Sequence, residues 1–229
     1  MSKNAVVLIP ARLASKRFPM KPLVKVNGKT IIEHCYDWVS KAGYSTYVVS
    51  GDQEIIDLFP DKSIKTFQDH TNGTERCSEA LRSLSKGSLD DVIVNVQGDI
   101  LLGNPDALRA SVGMIRSQKA HMATVLTSTH GDYRDPNTVK GVVARDGRVL
   151  FFTRHPVLSI TDVRSHVGIY AMTKLSLCTY VALGQCEWEK AESLEQMRWL
   201  YHGYQVRAYM DNFKYHSINV VEDINKKGK

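Results

Sequence analysis

Short apolar runs alternate with amphipathic stretches along the first half of the chain. The apolar runs are rich in β-branched residues and predict buried strands at residues 6–9, 46–49, 64–67, 92–96 and 122–126. Apolar residues at helical spacing between them predict helices at residues 31–42, 75–84 and 105–118, and a short helix from Asp52 through Phe59. Strands separated by helices favour an α/β fold with a doubly wound, mostly parallel open sheet.

The second half of the chain has a different pattern. Residues 142–145 and 149–152 flank Asp146-Gly147, a strong tight-turn signal, and predict a β-hairpin. The remaining pattern predicts a strand at 167–172, helices at 175–183 and 193–202, closing strands at 205–210 and 215–218, and a last helix at 221–225. We therefore expect a small hairpin or strand insertion in the parallel sheet.

The length of the chain fits one α/β domain. The chain has 229 residues, of which 43% are hydrophobic and 24% are charged, values that are ordinary for a globular protein. It contains no repeat, low-complexity segment or Pro/Gly/Ser-rich linker. We expect a single domain over residues 1–229, in which residues 140–170 could form a small inserted subdomain.

The net charge and the cysteine spacing restrict the classes of ligand and partner that the chain is expected to bind. The net charge of +6 suits an acidic small molecule or nucleic acid, but no Lys/Arg run is long enough for a nucleic-acid arm, so we expect no nucleic-acid partner. No apolar run approaches the roughly 18 residues of a membrane span, and no signal-peptide region opens the chain. The four cysteines lack CxxC spacing. We expect a cytoplasmic protein with reduced thiols, no zinc site and no membrane contact.

A basic loop follows the first predicted strand. Residues 10–22 carry Arg12, Lys16, Arg17 and Lys21 without any acidic residue, and their prolines stiffen the loop. Loops that leave a buried strand of an open α/β sheet are where such folds bind phosphate chains. The loop lacks the spacing of a P-loop. The alternative interpretation is a solvated charged loop.

Two further segments carry polar groups in suitable places. Asp99 follows Gln97 and Gly98 at the end of the predicted strand 92–96, where a lone carboxylate facing phosphates is typical of a magnesium ligand. Residues 70–76 form a polar loop with one glycine, which suits base or ribose recognition. Each segment also has a structural interpretation, as a strand-ending turn for Asp99 and as helix capping for residues 70–76.

Together these segments resemble one family. Residues 9–23 match an Ile-Pro-Ala-Arg loop that ends in Pro-Gly-Lys-Pro-Leu, residues 72–76 match Ser-Gly-Thr-Asp/Glu-Arg, and residues 96–99 match Val-Gln-Gly-Asp. In this order, over nearly the full length, the chain resembles the CMP-sugar-acid synthetases, most closely the 3-deoxy-manno-octulosonate (KDO) cytidylyltransferases. The resemblance implies a nucleotide-diphospho-sugar transferase-like sheet, CMP transfer from CTP to the anomeric hydroxyl of an acidic sugar with release of pyrophosphate, magnesium as cofactor, and a homodimer.

The resemblance also implies roles for individual residues. The implied catalytic residues are Lys21, Arg12 and Arg17. The implied nucleotide-binding residues are Ala11, Arg12, Ser15, Arg17, Lys21, Asn72, Gly73, Arg76 and Gln97. The implied sugar-acid residues are Gln97, Arg154, His166, Tyr170, Glu195 and Gln196, and the implied metal ligands are Asp99 and Asn219. Without the resemblance, His166 and Tyr170 would be interpreted as ordinary strand residues and Glu195 as a helix-surface charge.

The chain also departs from the family pattern. Met20 replaces a glycine, so a methionine must adopt any positive φ that the glycine supplies. Asn219 replaces a metal-binding aspartate, and Ile100-Leu101 replaces Glu-Pro. Ser165 replaces an arginine, and the segment between Arg154 and His166 is short. These departures leave two alternatives: a cytidylyltransferase for another sugar acid, such as an amino-KDO or a nonulosonic acid, and a CTP-binding, catalytically weakened regulatory homologue.

Overall fold

The computed structural model describes residues 5–14, 18–84, 91–117, 120–128, 133–157 and 163–225. In these ranges the strands are β1 (Ala5–Pro10), β2 (Lys25–Val26), β3 (Lys29–Thr30), β4 (Ser45–Ser50), β5 (Ser63–Lys65), β6 (Val92–Val96), β7 (Ile100–Leu102), β8 (Met122–Thr127), β9 (Lys140–Val143), β10 (Val149–Thr153), β11 (Val163–Thr173), β12 (Val206–Asp211) and β13 (His216–Ser217). The α-helices are α1 (Ile31–Ser40), α2 (Gln53–Asp57), α3 (Gly73–Ala80), α4 (Pro105–Arg116), α5 (Lys174–Leu183), α6 (Glu187–Glu192) and α7 (Met197–Tyr201).

The main sheet is open and mostly parallel. Its strands follow the order β5-β4-β1-β6-β11-β8-β12, and β11 alone among them runs antiparallel to its neighbours. The antiparallel pair β9 and β10 joins the first half of β11. The predicted fold class and the predicted hairpin are therefore confirmed.

Helices cover both faces of the sheet, which creates two hydrophobic cores. Side chains alternate along a strand, so Val7 and Ile9 point to one face of β1 and Leu8 points to the other. The first core is closed by α1 and α4, and the second is closed by α3, α5 and α7. Burial on both faces explains why the central strands are almost continuously apolar.

Capping residues in the sequence mark the beginnings of α1 and α4, which lie where the sequence predicts them. The Thr30 hydroxyl accepts from the Glu33 N–H at 3.3 Å, and the Glu33 carboxylate accepts from the Thr30 N–H at 2.7 Å, which forms a capping box at α1. Asn104 caps α4 by accepting from the Asp106 N–H at 3.0 Å, and Pro105 occupies the first helical position.

The predicted helix at 193–202 is only partly correct, because just its second half is helical, as α7. The chain forms α6 and α7 instead, separated by Ser193, which lies in the left-handed region at φ 52°. A break there lets Glu195 turn inward, where its carboxylate accepts from the Thr74 N–H at 3.0 Å. This tertiary contact outweighs the helical pattern, whose local preference is small.

Smaller predictions also differ from the structure. Residues 215–218 do not close the main sheet, because β13 pairs with β7 in a separate two-stranded sheet. Asp52 precedes α2 but makes no capping bond; its carboxylate accepts from the Leu13 N–H at 2.8 Å instead. Residues 221–225 form a 3-10 helix. None of the helices in the described residues is long and apolar enough to cross a membrane.

Candidate active site

The carboxyl ends of β1 and β6 open into a crevice made of two adjoining cavities. The larger cavity measures about 750 Å³ and the smaller about 240 Å³. Both are lined by Arg12, Asn72, Gly73, Gln97 and Asp99, so they meet at these residues. A crevice beyond the carboxyl ends of the strands is where open α/β sheets bind their ligands.

Lys21 and Asp99 meet in this crevice. Lys21 Nζ lies 2.7 Å from Asp99 Oδ2 and donates to the Ile218 carbonyl at 3.1 Å. The Lys21 side chain is 19% exposed and that of Asp99 is 25% exposed, so a ligand can reach both. The structure thus brings a cation of the basic loop to the carboxylate that follows β6. Ser15 and Arg17, like Lys16, lie outside the described residues.

Met20 sets the position of Lys21 through a strained backbone conformation. Its φ of 58° lies in the left-handed region, which is costly for a residue with a Cβ. The Met20 N–H donates to the Leu13 carbonyl at 3.0 Å, and the Met20 carbonyl accepts from the Leu23 N–H at 2.9 Å. The expectation that a methionine here must adopt a positive φ is confirmed.

Asn219 lies near the same ion pair and also lines the larger cavity. The Ile218 N–H donates to the Asp99 carbonyl at 2.9 Å, which holds the two segments together. Among the described residues, no group of three or more His, Cys, Asp or Glu side chains could hold a metal ion. The donor set of Asp99 and Asn219 nevertheless fits magnesium, which often takes one or two carboxylates and fills its other positions with phosphate oxygens and water.

The loop before α3 is held by its own side chains. Asn72 caps α3 by accepting from the Glu75 N–H at 3.0 Å, and its amide donates to Tyr180 Oη at 3.0 Å and to Glu189 Oε1 at 3.1 Å. These bonds occupy the Asn72 side chain in a structural role. A Cβ on Gly73 would lie 2.9 Å from Pro10 Cγ, so glycine lets this loop approach β1.

The smaller cavity is polar and partly cationic. Arg76, which is buried, donates to Thr66 Oγ1 at 2.5 Å, and Ala11 lies beside it in the cavity wall. Burial lowers the pKa of Arg76, an effect that Asp52 opposes. His70 also lines this cavity and is held by Glu79, with Nε2 2.6 Å from Oε2. His70 is not predicted as a site residue by the sequence, because a histidine in a polar loop has no distinctive local signal.

Gln97 and Glu195 form a hydrogen-bonded pair in the wall of the larger cavity. Gln97 Nε2 donates to Glu195 Oε1 at 2.7 Å. Burial raises the pKa of Glu195, although the hydrogen bond from Thr74 acts in the opposite direction. Gly168 makes room for Gln97, since a Cβ there would lie 2.4 Å from Gln97 Cγ. The pair therefore depends on a glycine in β11.

The other sugar-acid residues expected from the sequence also line the larger cavity. Tyr170 Oη donates to Gln196 Oε1 at 3.3 Å, and burial raises the pKa of Tyr170 well above its usual value. Arg154 donates from Nε to the Glu192 carbonyl at 3.2 Å and from Nη1 to the Pro136 carbonyl at 3.1 Å. The structure thus brings Gln97, Arg154, His166, Tyr170, Glu195 and Gln196 to one cavity.

A buried ionic network supports this wall of the crevice. Arg198, which is fully buried, lies 2.8 Å from Glu189 and 2.9 Å from Glu75, and its guanidinium lies 4.1 Å from the Tyr180 ring centre. Burial lowers the pKa of Arg198, but the hydrogen bonds with Glu189 and Glu75 outweigh this and raise it. No local sequence signal predicts this network, because Arg198 lies 9 positions from Glu189 and 123 positions from Glu75.

Comparison with known proteins agrees with the geometry. A family model described as cytidylyltransferase matches residues 6–213. A 3-deoxy-manno-octulosonate cytidylyltransferase of Cytophaga hutchinsonii is 34% identical over 245 residues, covering 98% of this chain and 97% of the relative. An 8-amino-3,8-dideoxy-manno-octulosonate cytidylyltransferase of Shewanella sp. W3-18-1 is 35% identical over 237 residues, covering 97% and 96%.

A solved structure is similar over the same span. The structure of a CMP:2-keto-3-deoxy-manno-octonic acid synthetase complexed with CTP superposes with a TM-score of 0.84 at 30% identity, covering 98% of this chain and 96% of that one. The match therefore extends across both walls of the crevice. By its sequence over nearly its whole length, the chain belongs to the cytidylyltransferase family.

Proposed function

We propose that this protein transfers CMP from CTP to the anomeric hydroxyl of an acidic sugar, either KDO or a close analogue, and releases pyrophosphate. The observation that carries the proposal is the meeting of Lys21 and Asp99, 2.7 Å apart, where two adjoining cavities share a wall. Two adjoining compartments with charge at their junction suit a reaction that joins a nucleoside triphosphate to a second substrate. The relatives' names and the CTP complex of the similar structure support the same reaction.

The smaller cavity is the proposed site of the cytidine. Ala11, Gly73 and Arg76 line it, and Gln97 reaches it from β6. Asn72 contributes by shaping the loop, because its side chain is already hydrogen-bonded within the protein. This assignment keeps the expected nucleotide-binding residues that the structure describes and gives Asn72 a structural role, while Ser15 and Arg17 lie outside the described residues.

Charge neutralisation and positioning are the proposed sources of catalysis. The anomeric oxygen forms a bond to the α-phosphorus, the bond from that phosphorus to the bridging oxygen breaks, and the hydroxyl proton is released. Lys21 would stabilise the charge that develops, while Arg12 and Arg17 would hold the departing pyrophosphate. Asp99 and Asn219 would hold magnesium, which when bound supplies further positive charge to the phosphate oxygens.

The larger cavity is the proposed sugar-acid site. Its wall carries hydrogen-bonding groups on β11 and on the segment between α6 and α7, together with the Arg154 guanidinium. Relatives at about the same identity act on KDO and on its 8-amino analogue, so both are candidate acceptors.

Product formation tests the proposal. Purified protein is incubated with CTP, magnesium and one acid at a time: KDO, its 8-amino analogue or a nonulosonic acid. Pyrophosphate release and the mass of the CMP-sugar are measured, with EDTA as the metal control. We expect product with at least one of the octulosonates and loss of product with EDTA. CTP binding by calorimetry with no product from any acid would favour the regulatory homologue that Asn219 and Ile100 suggest.

We also propose an oligomeric state and a cellular location for this protein. We expect a homodimer, to be measured by light scattering, and a cytoplasmic location, to be measured by fractionation. A monomer in solution would contradict the first expectation without affecting the reaction.

A further inference from the structure

A buried threonine contacts the imidazole that lines the larger cavity. Thr124, in β8, is fully buried, and its Oγ1 lies 3.0 Å from His166 Nε2. The same hydroxyl donates to the Ile169 carbonyl at 2.8 Å. Thr124 has no distinctive sequence signal, because a threonine within an apolar strand is an ordinary residue.

The Thr124 hydroxyl donates its proton to the Ile169 carbonyl at a break in the β8–β11 ladder. The register of this ladder shifts between Val167 and Tyr170, next to Ile169. A buried carbonyl needs a hydrogen-bond donor, and the Thr124 hydroxyl supplies it at this position. A hydroxyl has one proton, so Thr124 Oγ1 can only accept from His166.

This chain of bonds determines which imidazole nitrogen carries the proton. His166 Nε2 must be protonated in order to donate to Thr124 Oγ1. Among the described residues, His166 Nδ1 has no hydrogen-bond partner, and the atom is not fully buried. Since His166 lines the larger cavity, we infer that Nδ1 faces that cavity.

The surroundings of the ring keep it neutral. The ring of Phe152 packs edge-on at 5.0 Å and that of Tyr170 lies at 5.5 Å, which excludes water from much of the imidazole. Burial, with a smaller effect from the Arg154 charge, lowers the pKa of His166 to about 3. A neutral ring with a proton on Nε2 leaves Nδ1 as an acceptor.

We propose that Thr124 is a positioning residue that fixes His166 as the Nε2–H tautomer, so that Nδ1 accepts a hydrogen bond from a hydroxyl of the bound sugar acid. This inference rests on the proposed function for the identity of its ligand. It also means that His166 does not bind the sugar's carboxylate, because it offers that group neither a charge nor a donor. The carboxylate must be held by other groups of the larger cavity.

Nitrogen NMR of the ligand-free protein tests the tautomer directly. The His166 resonances among the eight histidines are assigned by comparison with His166→Gln. We expect Nε2 to resonate as a protonated nitrogen and Nδ1 as an unprotonated one in the wild-type protein and in Thr124→Ser. Thr124→Val, which keeps the shape but removes the acceptor, should lose this single tautomer. A proton on Nδ1 in the wild-type protein would overturn the proposal.

Kinetics test the consequence for substrate binding. For Thr124→Val we expect KM for the sugar acid to rise by about two- to tenfold, the usual worth of one hydrogen bond, while KM for CTP stays unchanged. Thr124→Ser should restore the wild-type value. Equal changes in both KM values would indicate a merely structural role and contradict the proposal. If no sugar acid is a substrate, the proposed function fails, whereas the NMR result on the tautomer still stands.

Discussion

The two cavities of the crevice differ in the kind of polar group that lines them. The smaller cavity is lined by charged residues that include Arg12, Lys21 and Asp99, of which Arg12 and Asp99 also reach the larger cavity, and the pair of Lys21 and Asp99 is partly exposed. Behind the larger cavity, the buried Arg198 pairs with the buried Glu189 and with the partly exposed Glu75. What faces that cavity from β11 is then mainly a set of neutral hydrogen-bonding groups.

This difference suits a crevice that takes two chemically different ligands. A triphosphate carries several charges, and accessible cations attract it over several ångströms. A sugar differs from its analogues by single hydroxyls, which only fixed donors and acceptors can distinguish. In the proposed function, the ion pairs of Arg198 behind the larger cavity help to hold such groups in place, while the basic loop supplies the charge.

Removal of the buried cation should have the largest effect on stability. Arg198→Met leaves Glu75 and Glu189 with uncompensated negative charge, and we expect a loss of about 3–5 kcal/mol in the free energy of unfolding. Urea unfolding measures it. Arg148→Met, which breaks an exposed pair with Asp146 in the hairpin, is the control and should cost about 1 kcal/mol or less. Similar losses in both variants would contradict the buried network.

Removal of the accessible cation should affect catalysis instead. Lys21→Ala should raise the barrier by about 2.7–4 kcal/mol, as loss of one preorganised donor does elsewhere. Pyrophosphate release at saturating CTP measures the change. Lys25→Ala alters an exposed lysine that lines neither cavity, and it should retain activity. Near-normal turnover of Lys21→Ala would contradict the proposed catalytic role of Lys21.

A single added methyl group at Gly168 should disturb Gln97, which lines both cavities. Gly168→Ala forces Gln97 away from Glu195, and we expect overpacking to cost about 1–3 kcal/mol of stability. KM for the sugar acid should rise with it. Gly113→Ala, in α4, meets no atom within 4 Å and should stabilise the protein by about 0.5–1 kcal/mol. An unchanged unfolding midpoint for Gly168→Ala would show that Gln97 is free to move.

The smallest effect concerns the strained turn beside Lys21. Met20→Gly removes a left-handed methionine, and we expect a gain of about 1 kcal/mol after allowing for the flexibility of glycine in the unfolded chain. Thermal unfolding measures it. Asn27→Gly is the comparison, since asparagine tolerates its φ of 49° better and should gain less. Destabilisation of Met20→Gly would mean that the methionine side chain makes a needed contact.

The strands were easier to predict than the segment from 187 to 202. Apolar periodicity marked the central strands because those residues are buried on both faces of the sheet. The same periodicity suggested one helix at 193–202, where the structure breaks the chain at Ser193 and turns Glu195 toward Thr74. A contact between residues 121 positions apart has no local signal.

The sequence by itself determined the α/β class, the strand-end positions of Arg12 and Asp99, and the likeness to a family, because these depend on local pattern and on contiguous motifs. Only the tertiary structure decided that Lys21 pairs with Asp99, that Arg198 forms ion pairs with two carboxylates, and that Thr124 contacts His166. Each of these is an interaction between side chains far apart along the chain. Their pairing depends on which strands become neighbours, and that order emerges only when the sheet is assembled.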